Sequence, residues 1–118
     1  VAGGYGIDDR MHQSVTRFLQ QHPDADAVYT VGGGNPGILR AFAGEKRTLN
    51  AFIGHDLDRE NCALLHQGKI DALIEHNLQL DALHAFRTLL AFHGFLPASE
   101  PPAPYSRINI ITRYNMTA

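Results

Sequence analysis

Three stretches of this 118-residue chain carry residue types that could do chemistry together: Gly32-Gly33-Gly34-Asn35-Pro36-Gly37, His55-Asp56 and His76-Asn77. The first satisfies G-x-G-x-x-G, and Asp56 lies 19 positions beyond its last glycine. In a dinucleotide site such glycines let a pyrophosphate approach backbone N–H groups, and the acid accepts from a ribose hydroxyl. The same glycines also suit a tight turn with close helix–strand packing. A short following helix, Pro36 to Gly44, and a strand–helix pair ahead of the motif favour the second use. Asp56 and His76 form the other candidate pair, 20 positions apart. A carboxylate accepts hydrogen bonds and a neutral imidazole offers one donor and one acceptor, which together suit a hydroxyl-rich ligand.

Other reactive types lead nowhere in particular. Seven histidines are present, but no H-E-x-x-H or comparable spacing gathers them, so no metal is expected. His66, His84 and His93 suit helix C-terminal positions, where a partial positive charge meets the dipole favourably. Ser14, Ser99 and Ser106 stand in no nucleophile-elbow context, and Cys62 falls on the inward face of a helix. The expectation is a binding domain, with no enzyme activity and no cofactor.

The elements that must position these groups follow from periodicity. Met11, Val15, Phe18 and Leu19 fall at helical spacing in Asp8–Gln21, after an Asp8-Asp9 start suited to capping. Ala27-Val28-Tyr29-Thr30-Val31 reads as a buried strand. Asn35 and Pro36 then read as N-cap and first residue of a short helix ending at Gly44. A second strand is expected over Leu49–Gly54, a helix over Asp58–Gln67 with Gly68 after it, and a third strand over Ile70–Glu75. A longer helix, Leu78–His93, carries Leu83, Phe86, Leu89 and Leu90 and closes at Gly94. Residues 97–104 hold four prolines and form a link before a last strand, Ile108–Thr112. The opening Val1–Gly4 could be the end of a further strand.

Strands separated by helices mean βαβ units, hence α/β class: an open parallel sheet with helices on both faces. Ligands of such sheets sit outside the carboxyl ends of the strands. Here Val31 leads into Gly32–Asn35, Gly54 into His55-Asp56, and Glu75 into His76-Asn77. Three strand ends therefore aim polar groups at one edge.

Composition limits the partners. Ten Lys and Arg against twelve Asp and Glu, spread along the chain, leave no nucleic-acid footprint within these residues. No apolar run is long enough to span a membrane, and one Cys excludes an internal disulfide. The chain starts at Val1 with neither an initiator Met nor a signal peptide, as a piece of something longer would.

From Asp24 to Asn115 the chain resembles the ligand-binding domain of the lac repressor (LacI) family of bacterial transcriptional regulators, and more distantly the periplasmic sugar-binding proteins. The residues that carry the likeness are Ala27-Val28-Tyr29-Thr30-Val31-Gly32-Gly33-Gly34-Asn35-Pro36-Gly37, Ile53-Gly54-His55-Asp56-Leu57, Leu64 to His76, and Ile111-Thr112-Arg113-Tyr114-Asn115. The order of these pieces is the specific part. The resemblance implies residues 1–118 are one lobe, the carboxyl-terminal one, of a two-lobe type I periplasmic-binding-protein-like fold. A small polar ligand such as a sugar would lie in the inter-lobe cleft. It implies for the parent a cytoplasmic homodimer that binds operator DNA through a headpiece absent here, under allosteric control by the ligand. Transport in the periplasm is the alternative role, and a dinucleotide enzyme using Gly32–Gly37 and Asp56 a further one. By the same resemblance Asp56 accepts from ligand hydroxyls, and His76 stands where relatives usually place Gln. Asn35 with Gly33 and Gly34 falls near a cleft position, Asp8 at a cleft edge, and Arg113 and Asn115 in the hinge segment that crosses to the other lobe.

Overall fold

The structure, a computed structural model, describes residues 4–97 and 106–116. The proline-rich link falls outside them except for Pro97, and the possible opening strand except for Gly4. The elements run α1 (Asp8–Gln21), β1 (Ala27–Tyr29), α2 (Asn35–Gly44), β2 (Ala51–His55), α3 (Arg59–His66), β3 (Ala72–His76), α4 (Leu78–Phe92) and β4 (Ile108–Ile111). The four strands form one sheet in the order β1-β2-β3-β4, with β1–β2 and β2–β3 parallel. In register Val28 stands opposite Phe52, and Gly54 opposite Leu73.

Two compact units make up the chain: one holds the residues up to Ile74 together with those from Ile110, the other Glu75–Asn109. The first unit carries the core. Period-2 alternation turns Phe52 and Leu73 to one sheet face. Over that face α1 contributes Val15 and Leu19, α2 Ile38, Ala41 and Phe42, and α3 Leu64 and Leu65, with Ile70 beside them. Each large buried side chain contributes about 1.5–3 kcal/mol through apolar surface removed from water. The other face of β1 and β2 is open within this unit, with Tyr29 61 % and Ile53 38 % exposed. β1 therefore is not the doubly buried strand that its apolar run predicted.

Local differences from the sequence reading have local causes. α1 begins where expected, but Ile7 is its N-cap and no side chain caps it. Asp8 and Asp9 instead lie in the first turn, where a carboxylate meets the positive end of the helix dipole. α2 is capped by Gly34, which leaves Asn35 inside the helix and frees its amide for other partners. Asp58 does cap α3, accepting from the Asn61 N–H at 2.8 Å. α1 and α2 meet closely at Gly37, where a Cβ would overlap the Asp8 carbonyl and stand 2.9 Å from its carbon. Only glycine allows that approach.

In the second unit Asn77 caps α4, accepting from the Leu80 N–H at 3.0 Å, and the Ser106 hydroxyl donates to Asp81 at 2.6 Å. The helix has the expected span, yet none of its residues is buried. Leu83, Phe86 and Leu89, which recur along it at helical spacing, are exposed.

Candidate functional site

The carboxyl ends of β1 and β2 are tied together by a chain of buried amides. Thr30, just past β1, donates from Oγ1 to Asn35 Oδ1 at 3.0 Å. Asn35 Nδ2 donates to Asn61 Oδ1 at 2.7 Å. Asn61 Nδ2 in turn reaches the carbonyls of His55 and Asp56 at 2.9 and 3.0 Å, and Asp58 Oδ2 at 3.3 Å. Thr30, Asn35 and Asn61 are all buried, and buried polar groups are retained where their hydrogen-bonding capacity is met. The β2–α3 loop is thereby fixed from below, and Asp56 stands on top of it.

Asp56 is exposed and has φ 66°, in the left-handed region. Its N–H donates to the Ile74 carbonyl at 3.0 Å, which anchors the turn to β3. A non-glycine residue held this way costs roughly 1–2 kcal/mol, less for Asp and Asn, whose short polar side chains tolerate it. Strain of this sort persists where surrounding structure over-determines it. The two carbonyls flanking the strained residue are the ones Asn61 holds. The result is a carboxylate presented at a strand end on a rigid support.

Asn35 does not share that exposure. At 1 % exposed, with its oxygen accepting from Thr30 and its nitrogen donating to Asn61, it is fully occupied inside the protein. The expectation that Asn35 contacts a ligand directly fails on this burial; through Asn61 it braces the loop that carries Asp56. Gly33 and Gly34 face the backbone that enters α1. A Cβ on Gly33 would lie 3.2 Å from the Gly6 carbonyl oxygen, and one on Gly34 3.1 Å from Met11 Cβ. With Gly37 against Asp8, these glycines admit the chain's own backbone, which is the tight-packing use of the motif. Asp8 is half-buried at the start of α1, and its neighbour Asp9 pairs with Arg40 at 3.0 Å.

The remaining predicted positions fall elsewhere. His76 ends β3, half-buried, in the second unit. Asn115 builds a turn after β4: its Oδ1 accepts from the Thr112 N–H and Oγ1 at 2.6 and 3.0 Å, and its Nδ2 donates to the Ile110 carbonyl at 3.0 Å. The Arg113 guanidinium lies beside Gly68 and 5.4 Å from the Tyr114 ring centre.

Two features escape the sequence reading, for different reasons. Asn61 is a lone polar residue in an amphipathic helix, and its role depends on which loops converge on it. Tyr29 and His55 meet on the open sheet face, Tyr29 Oη and His55 Nε2 2.7 Å apart and the rings edge-on at 5.4 Å. Both point outward from neighbouring strands, so alternation alone could have suggested the pair. Among the described residues no three His, Cys, Asp or Glu side chains gather as a metal-holding group, and no helix is long and apolar enough to cross a membrane.

No family model matches the sequence, and no curated protein matches it. Solved structures do match in shape. GanP, a glucose-galactose binding protein from Geobacillus stearothermophilus, aligns with TM-score 0.79 and 16 % identity, over 98 % of this chain and 41 % of that one. A carbohydrate transporter solute binding protein from Agrobacterium radiobacter, in complex with D-arabinose, aligns with TM-score 0.72 and 19 % identity, over 97 % and 39 %. A protein assigned as a LacI transcriptional regulator from Bacteroides fragilis aligns with TM-score 0.65 and 22 % identity, over 88 % and 36 %. The chain thus spans about two fifths of the length of the structures it matches. Its fold is that of an α/β lobe of the periplasmic-binding-protein-like type, an open and largely parallel sheet with flanking helices.

Proposed function

We propose that this chain is one lobe of a longer polypeptide and that its strand-end edge binds a small hydroxylated ligand, a sugar or a close relative, in a cleft closed by a second lobe. The observation that carries the reading is the exposed Asp56, strained at φ 66° and held there through Asn61. An ionised carboxylate accepts from ligand hydroxyls, and a fixed support avoids the cost of ordering it at the moment of binding. Gly33 and Gly34 keep that edge shallow, Asn35 braces it, and Asp8 belongs to its rim. On the sequence resemblance alone, His76 is proposed as a further ligand contact with a ring donor and acceptor to offer. Arg113 and Asn115 belong to the segment crossing to the other lobe. The bound D-arabinose in one protein of this shape is in keeping with this ligand class.

In the longer polypeptide the lobe serves as the effector sensor of a LacI-type regulator: a homodimer in the cytoplasm whose operator affinity follows the lobe orientation that the ligand selects. The second reading, a binding protein for sugar uptake, is favoured by the transport proteins among the matching structures. A DNA-binding headpiece ahead of the lobes supports the first, a secretion signal the second.

The test is calorimetric titration of the longer polypeptide with a panel of aldoses, repeated with Asp56→Ala. Loss of charge-assisted hydrogen bonds is expected to weaken binding about ten- to hundredfold. Unchanged affinity in a folded Asp56→Ala protein removes Asp56 from the site and the reading with it.

A further inference from the structure

The side-chain amides of Asn35 and Asn61 could each stand in two orientations, and the oxygens around them decide which. On one side Asn61 meets three acceptors: the His55 and Asp56 carbonyls at 2.9 and 3.0 Å, and Asp58 Oδ2 at 3.3 Å. A carbonyl or carboxylate oxygen donates nothing, so the Asn61 nitrogen belongs there. Its oxygen then faces Asn35 at 2.7 Å, and Asn35 must present its own nitrogen. That leaves the Asn35 oxygen facing Thr30 at 3.0 Å, where the Thr30 hydroxyl donates to it. All three side chains are buried, so each must find its partners among the others.

We propose that Thr30 is a positioning residue for ligand binding: its hydroxyl proton sets the direction of both amides and, through them, the loop that carries Asp56. The inference rests on the reading of Asp56 as the carboxylate that binds the ligand. Thr30 need not touch the ligand for this. Without its hydroxyl the Asn35 oxygen is a buried acceptor with no donor, and that costs more than the bond itself contributed. Turning Asn35 over brings no relief, because its oxygen would then meet the Asn61 oxygen. Turning Asn61 as well sets that oxygen against the His55 and Asp56 carbonyls. The backbone on both sides of a residue held at φ 66° is then released, and strain of this kind persists only under such support.

Thr30→Val keeps the shape and removes the hydroxyl, whereas Thr30→Ser keeps the hydroxyl. In calorimetric titration of the longer polypeptide with aldoses, Thr30→Val is expected to weaken binding roughly three- to tenfold, and Thr30→Ser to stay close to the parent. In an Asp56→Ala background the same Thr30→Val change is expected to cost no further affinity, because its route to the ligand runs through Asp56. An equal loss in both backgrounds overturns the proposal, and so does a Thr30→Val protein of parental affinity. A Thr30→Val chain that does not fold makes the hydroxyl a requirement of the fold and overturns it too. Amide hydrogen exchange without ligand is the second readout. The Asp56 N–H, bonded to Ile74, is expected to exchange about tenfold faster in Thr30→Val. The Asp71 N–H, bonded to Phe52 at the other end of β2, is expected to keep its rate. Equal acceleration of the two reports a general loss of stability and overturns the relay. A polypeptide that shows the selective Asp56 change and binds no sugar sinks the functional reading while the relay stands.

Discussion

Asp56 carries two burdens at one position, and they can be separated by substitution. Glycine accepts φ 66° without penalty, so Asp56→Gly is expected to hold or raise stability, by up to about 1 kcal/mol, while sugar affinity falls as far as it does in Asp56→Ala. Thermal denaturation and titration of the same two variants check this. If Asp56→Gly destabilises, the strain is not located where the backbone places it. Asn61 is the opposite case, a residue whose value lies in partners. Its replacement by Ala strands the Asn35 amide and two loop carbonyls and is expected to cost about 1–3 kcal/mol in chemical denaturation. Arg40→Ala, which breaks an exposed pair with Asp9, is expected to stay within about 0.5 kcal/mol. The position of Asp56 between a strand end and a helix start was legible in the sequence, because it follows an apolar run and precedes a helix cap. Asn61 was not, since a single Asn in a helix has no spacing to announce it. Asn35 was legible as a polar residue after β1 but was misread as a contact, because capping by Gly34 turned its side chain inward.

Among the elements, α1 and α2 are set against each other by one missing side chain. Gly37→Ala puts a methyl group into the Asp8 carbonyl, and neither backbone can yield without moving its helix. The expected cost is about 1–3 kcal/mol or more, read from the denaturation midpoint, with Gly44→Ala as control because nothing lies near a Cβ there. A Gly37→Ala protein as stable as the parent would show that the two helices slide freely. The existence and order of the elements followed from hydrophobic period: α1 appears over its predicted span, and β2 and β3 are displaced by one or two residues at their ends. Strand ends drift because the pattern of inward side chains continues past the last ladder hydrogen bond. The failures concern burial. Periodicity says which side chains share a face, not what covers that face, and so the β1 run was read as buried although Tyr29 and Val31 are exposed.

At the scale of the molecule, the proposed function makes the Asp56 carboxylate one side of a two-sided cleft. A cleft ligand gains most of its contact area only when both sides close on it, so the 118-residue chain alone is expected to bind aldoses at least tenfold more weakly than the longer polypeptide. Titration of both under one condition measures the difference, and equal affinities would mean that the second lobe adds nothing. The α/β class was readable from alternating elements, whereas nothing in that alternation names a ligand. One feature of the lobe bears on how occupancy could be signalled. Asn61 grips the backbone on both sides of Asp56 and sits in the first turn of α3, while Asn35, which it holds, sits in the first turn of α2. A tug on the carboxylate is then shared at once by two helix origins. Whatever engages that carboxylate thereby engages the starts of both helices through one buried amide network.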